Sequence, residues 1–109
     1  MPPEAGGASI VRSGRSELED VVGELLPKTG SVEVQRDTPG REHALHTHPT
    51  DETLHIVAGS IGFEVAGERS ECGPGDRLLL PAGTPHASTA GPEGCLYVIA
   101  LRMVEGTRV

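Results

Sequence analysis

A chain of 109 residues supports one hydrophobic core, and its net charge of −7, from 16 acidic and 9 basic side chains with no basic cluster, excludes the phosphate-tracking surface that nucleic-acid binding needs. The two aromatic residues, Phe63 and Tyr97, offer no stacking platform for single strands, and no apolar run approaches the roughly 20 residues that span a bilayer. Short aliphatic runs punctuated by 15 Gly and 9 Pro predict an all-β domain.

The opening "MPPEAGGASIVRSGR" has no basic region followed by an apolar stretch, so the expected location is cytoplasmic. Residues 1–15 read as a mobile arm in which "SIV" at 9–11 adds an edge strand. Over 16–30 the pattern is helical: Leu18, Val21, Val22, Leu25 and Leu26 recur at i, i+3, i+4, i+7 and i+8. Ser16 with Glu19 forms a capping-box pattern, and Pro27 with Gly30 closes the segment. The spacing predicts a helix over 17–26 that lays its apolar stripe on the outside of a sheet.

From 31 to 103 the runs shorten to "SVEVQ", "HALHTH", "ETLHIVAG", "IGFEVAG", "DRLLLPAG", "HAST" and "CLYVIALR", separated by turn signals, and residues 104–109 read as a tail. Seven short strands at this spacing predict a sandwich or barrel rather than a parallel sheet with crossover helices. The two cysteines, Cys72 and Cys95, lack the spacing of a metal pair, and a reduced state is expected for both.

Four of the five histidines fall between Gly40 and Gly59. On a strand, His46 and His48 share a face with their Cα atoms roughly 6.8 Å apart, close enough for two imidazoles to converge on one ion. An adjacent antiparallel strand opening at Glu52 would bring a carboxylate beside them, and His86 in "LLLPAGTPHAST" offers a fourth donor. Without Glu52, His86 and the glycines, an ordinary exposed strand bearing two hydrophilic residues would be the better explanation of the two histidines. Nitrogen and oxygen donors together suit one divalent transition metal, Fe, Mn, Ni, Cu, Co or Zn, without choosing among them.

These residues resemble the cupin family. Its first motif places glycine, His-x-His, Glu and glycine where this chain has Gly40, His46, His48, Glu52 and Gly59, and its second is met by Gly75, Pro81, Gly83 and His86, with Ala90 in place of a final Asn. The resemblance implies a small antiparallel β-barrel of jelly-roll type with the metal held inside by His46, His48, Glu52 and His86. It also implies a homodimer and a chemistry drawn from dioxygenases, decarboxylases, isomerases and lyases.

Strand parity predicts that Leu54 and Ile56 face inward beside Glu52, and Ser88 beside His86, as pocket walls. Tyr97 is expected in the core with its hydroxyl available to a ligand, Phe63 in the core, and Cys95 interior. His43 and His55 stand at odd offsets and are expected on the exterior or at an interface; Asp51 reads as a solvated turn residue. Glu64 and Glu68 read as strand-surface or turn residues.

Four protein ligands on a six-coordinate ion leave two positions open, which predicts a metal-dependent enzyme acting on a small oxygenated molecule such as an enediol, hydroxy-acid or sugar acid. The alternative is a non-catalytic metal- or small-ligand-binding module. Because ligand histidines must be neutral, metal is expected to be lost as pH falls towards the imidazole range.

Overall fold

In the computed structural model, which describes residues 8–12 and 17–102, the aliphatic runs form antiparallel strands and the amphipathic segment forms a helix. In chain order these are β1 (Ser9–Arg12), α1 (Leu18–Leu25), β2 (Gly30–Asp37), β3 (Glu42–His46), β4 (Asp51–Val65), β5 (Glu68–Cys72), β6 (Asp76–Leu80) and β7 (His86–Arg102). They make one sheet folded over on itself. β4 and β7, 15 and 17 residues long, pair with each other through both layers. One layer has the order β1-β6-β4-β7-β2; in the other, β5 adds to the far half of β4 and β3 to the near half of β7. This is the small antiparallel barrel expected, with its single short helix near the N-terminus.

The sheet turns over where the β4–β7 register shifts, between Ile56 and Ala58 and again between Gly59 and Ile61. Such bulges bend a strand without ending it. The bend uses left-handed backbone at Gly59 (φ 77°) on β4 and Gly94 (φ 78°) on β7. A Cβ on Gly59 would collide with the Gly94 carbonyl oxygen, and one on Gly94 would sit 2.6 Å from the Asp37 carbonyl oxygen. Glycine is therefore needed twice, for conformation and for close approach. The bends also explain why four expected strands are two: "ETLHIVAG" with "IGFEVAG" is β4, and "HAST" with "CLYVIALR" is β7. β5, "ERSEC", had no apolar run to announce it, since Glu68, Arg69 and Glu71 face solvent on an edge strand and only Cys72 is buried.

The core between the layers takes Leu54 and Ile56 from one half of β4, Ile61, Phe63 and Val65 from the other, and Leu78, Leu80 and Tyr97 from β6 and β7. Each such aliphatic or aromatic side chain contributes about 1.5–3 kcal/mol by leaving water. Cys72 and Cys95 are free thiols within the same core.

α1 packs against the outer face of β4 and β7. Its stripe is narrower than expected: Val21 is fully buried, Val22 and Leu25 are half-buried, and Leu18 and Leu26 stay exposed. The N-cap position is Glu17, without a side-chain cap, and Ser16 of the expected capping box lies outside the described residues. His55, expected at the surface, is instead fully buried, because the helix covers the face to which its parity assigns it. The Arg77 Nε–H donates to His55 Nδ1 at 2.9 Å, and the same guanidinium reaches Glu24 of α1 at 2.8 Å. The edge strand expected at 9–11 is β1, paired with β6. Residues 1–7 and 13–16 of the N-terminal segment and the tail at 104–109 lie outside the described residues. Among those described, no helix is long and apolar enough to cross a membrane.

Candidate metal centre

Two loops build the site. β3 ends at His46, and His48 lies in the connection that follows. That connection is tied to the one before β7: the Gly83 N–H donates to the His48 carbonyl at 2.8 Å and the Ala82 N–H to Asp51 Oδ1 at 2.9 Å. Asp51 also pairs with Arg102, so the residue expected to be merely solvated is a clasp between the two loops. Thr84 closes the second loop through Oγ1 to the Pro81 carbonyl, 2.7 Å, and β7 then opens at His86, opposite His46. β3 pairs with β7 and not with β4, as the sequence suggested; Glu52 reaches the histidines from the other layer.

The fold thus brings His46, His48, Glu52 and His86 together. The imidazoles of His46, His48 and His86 have centroids 4.3–5.5 Å apart, and one ligating nitrogen from each lies within 4.8 Å of the others. His46 Nδ1 lies 2.6 Å from the Ala44 carbonyl and His86 Nδ1 lies 2.9 Å from the Thr84 carbonyl. A carbonyl only accepts, so both rings carry a proton on Nδ1, and in the neutral imidazole Nε2 is then the atom open to a metal. Glu52 stands between the rings with Oε1 3.7 Å from His86 Nε2 and Oε2 3.1 Å from His48 Nε2. Oε2 is buried and accepts no hydrogen bond despite that approach. An orphaned buried carboxylate oxygen is costly, and a cation among these donors removes the cost, so the residues fit a divalent metal.

Electrostatics agree with that chemistry. Burial pushes the Glu52 carboxyl up, opposed in part by His86 and His46. Burial likewise holds the His48 and His86 imidazoles below their ordinary range, the second against the pull of its Thr84 hydrogen bond and of Glu52.

Beside the donors lies a cavity of about 190 Å³. Leu54, Ser88 and Tyr97 are among the residues that line it; Ile56, named with them from strand parity, is buried in the core outside that lining. His43, expected outside, lines it too. The β3–β7 register runs Glu42 to Thr89 and His43 to Ser88, then shifts by one before His46 and His86. That bulge reverses the parity argument, turning His43 to the same side as His46.

Sequence reasoning also missed Glu33, Gln35 and Asp37. Glu33 and Gln35 line the cavity, and Asp37, at 5% exposure, anchors its far wall. Gln35 Nε2 donates to Asp37 Oδ1 at 3.0 Å and to the Tyr97 hydroxyl at 2.9 Å; that hydroxyl donates to Asp37 Oδ2 at 2.8 Å, and His43 Nε2 lies 2.9 Å from the same oxygen. Burial alone would raise the Asp37 carboxyl, but the hydrogen bonds from Gln35, Tyr97 and His43 prevail and lower it. Burial, then the bond to Asp37, raises the Tyr97 phenol, and burial pushes the nearby Cys95 thiol up to about 12. The signal was available in "VEVQRD": Glu33, Gln35 and Asp37 alternate on one strand face while Val32 and Val34 take the other, an inverted polarity for a barrel strand.

Comparison with known proteins follows the same lines. The family model described as a Cupin domain matches residues 33–99. An acireductone dioxygenase from Gluconobacter oxydans is 33% identical over 118 residues, covering 96% of this chain and 61% of its own length. The dimethylsulfoniopropionate lyase DddQ of Ruegeria pomeroyi is 38% identical over 50 residues, 45% of this chain and 25% of that protein, and its crystal structure superposes with a TM-score of 0.63 over 71% of this chain and 40% of its own, at 28% identity. A conserved protein of unknown function from Streptococcus pyogenes shares the fold over 89% of this chain and 96% of its own, at 20% identity and a TM-score of 0.59. The chain spans less than two thirds of the length of these two curated relatives.

Proposed function

The chain belongs to the cupin family, and from that premise we propose that it is a metal-dependent enzyme in which His46, His48, Glu52 and His86 hold one divalent transition metal beside a small oxygenated substrate. The observation that carries this reading is the donor set: two imidazoles whose Nδ1 atoms are held by backbone carbonyls next to a third, and a buried Glu52 oxygen without a hydrogen bond. A metal bound there supplies Lewis acidity to substrate oxygens and, where the ion is redox-active, a site for O2.

The chain's own side chains set what else can enter. Leu54, Phe63, Ile99 and Leu101 give an apolar wall that excludes water, and Gln35, Ser88 and Tyr97 place an amide and two hydroxyls beside it. The lining residues include Glu33 and Glu52 but no Lys or Arg, so beside a divalent metal whose charge those two carboxylates already offset, a dianionic substrate would find no further counter-cation. A volume of 190 Å³ is about six waters' share of liquid. Both facts favour a compact neutral or singly charged enediol, hydroxy-ketone or hydroxy-acid.

Between reactions, O2-dependent cleavage of a small enediol stands first, because the acireductone dioxygenase match runs nearly the full chain whereas the lyase match covers less than half of it. A redox-neutral isomerase or lyase reaction stands second. Protein purified without chelator, analysed for metal and then assayed for oxygen uptake with small enediols and 2-hydroxy-acids, tests the reading. About one equivalent of metal with oxygen consumption supports it; failure to take up any of the six ions removes the mechanism and leaves a non-catalytic ligand-binding barrel.

A further inference from the structure

The cavity has two polar walls, and only one is occupied by the candidate metal donors. The other is Asp37 with Gln35, Tyr97 and His43, and its proton positions follow from counting donors. Asp37 is an acceptor on both oxygens. The two amide protons of Gln35 go to Asp37 Oδ1 and to the Tyr97 oxygen, and the Tyr97 proton goes to Asp37 Oδ2. His43 Nε2, 2.9 Å from that oxygen, must therefore be the donor in its own contact. The 3.3 Å approach of Gln35 Nε2 to His43 Nε2 is then a meeting of two donors rather than a bond. In the neutral ring, Nδ1 of His43 is then the nitrogen that carries no proton.

His43 is thus the tautomeric opposite of His46 and His86, whose Nδ1 atoms are spent on backbone carbonyls. It stands outside the three-histidine cluster, lines the same cavity, and is a quarter exposed at its side chain. A carboxylate fixing one nitrogen so that the other can take a proton is the arrangement of a general base. We propose that His43, held by Asp37, is the proton-accepting group of this cavity, acting on a hydroxyl or enolisable C–H of the bound substrate.

In that step the substrate O–H or C–H bond breaks and its electron pair stays on the substrate as alkoxide or enolate. The N–H bond forms at His43 Nδ1, and the positive charge of the imidazolium rests against the Asp37 carboxylate. Return of the proton from Nδ1 to substrate or product restores the base, so no further reagent is consumed. Asp37, Gln35 and Tyr97 are positioning residues: they touch His43 or one another. The location of the substrate rests on the metal reading above; the tautomer does not.

The test has two arms. In metal-free protein labelled with 15N-histidine, two-bond proton–nitrogen correlation spectra should show His43 protonated at Nε2, and Asp37→Asn should abolish that preference. In zinc-loaded protein, the exchange of the α-hydrogens of hydroxyacetone with D2O should be catalysed by the wild type and slowed about 10²-fold or more in His43→Gln, with one zinc retained by both. A wild-type His43 protonated at Nδ1 overturns the proposal, as does a His43→Gln protein that exchanges at the wild-type rate, or a zinc-loaded wild type that catalyses no exchange. Failure of the metal reading looks different: the wild type binds no zinc at all, while the spectra of metal-free protein still decide whether Asp37 holds His43.

Discussion

Replacing Tyr97 by Phe removes one oxygen from a buried network and leaves the ring packing in place. The hydroxyl is 2.8 Å from Asp37 Oδ2 as donor and 2.9 Å from Gln35 Nε2 as acceptor, on a residue only 2% exposed. A hydrogen bond to a buried charge contributes about 1.5–3 kcal/mol and a neutral one about 1 kcal/mol, so a loss of about 2–4 kcal/mol is expected near neutral pH. For a chain of this size that lowers Tm by roughly 10–20 °C.

The effect should also depend on pH with a definite sign. The folded-state pKa of Asp37 is depressed, with the Tyr97 bond among the causes that outweigh burial, so its stabilisation is present above the unfolded value of about 3.9 and is lost as pH falls through the lower folded value. Tyr97→Phe weakens that term, so the gap between wild type and variant should be widest at neutral pH and narrow below about pH 4. Urea unfolding of metal-free protein at pH 7 and pH 3 measures both. A gap below about 0.5 kcal/mol at pH 7, or one of equal size at both pH values, would refute the reasoning.

Gly59→Ala should destabilise the protein by at least about 2 kcal/mol, read as Tm, because the new methyl meets both a left-handed backbone and the Gly94 carbonyl. Native protein at pH 8 should leave both buried thiols unreacted towards a disulfide reagent, Cys95 because burial holds its thiol up to about 12, and urea should release two per chain. Arg77→Met leaves buried His55 Nδ1 without its 2.9 Å donor and α1 without the Glu24 contact; amide exchange in the helix should quicken and stability fall by about 1–3 kcal/mol. On acidification, metal should be held at pH values where free imidazole, near 6.5, already protonates, since burial keeps His48 and His86 neutral to lower pH; half-loss above pH of about 6.5 in a metal-release titration would contradict this.

The strand-rich fold, the helix and the four residues of the candidate centre were legible because each leaves a local mark: alternation, 3.6-residue spacing, and donor types set against glycines. What escaped depends on contacts that no local pattern records. His43 was misplaced by a single shifted residue in the β3–β7 ladder, which inverts every parity argument upstream of it. His55 obeyed its parity and was still misjudged, because exposure on that face is decided by a helix thirty residues earlier. Gly59, Gly91 and Gly94 read as strand ends in the sequence because the signal for a bend within a strand and the signal for a turn between strands are the same residue.

The long β4–β7 ladder also dictates the order in which the molecule can be assembled. Val65 faces His86 across 21 residues of chain, whereas Asp51 faces Arg102 across 51, and closing the longer span first costs about 0.8 kcal/mol more in chain entropy. Zipping from the short end seats His86 early, beside Val65, and draws in Glu52 near the end, opposite Leu101; β2, which pairs with Cys95–Arg102, joins only the half of β7 that zips later. The metal donors are therefore gathered from opposite ends of this zipper, and the Asp37 wall waits on its later half. Damage to β2 should accordingly leave the folding rate nearly intact and appear as faster unfolding.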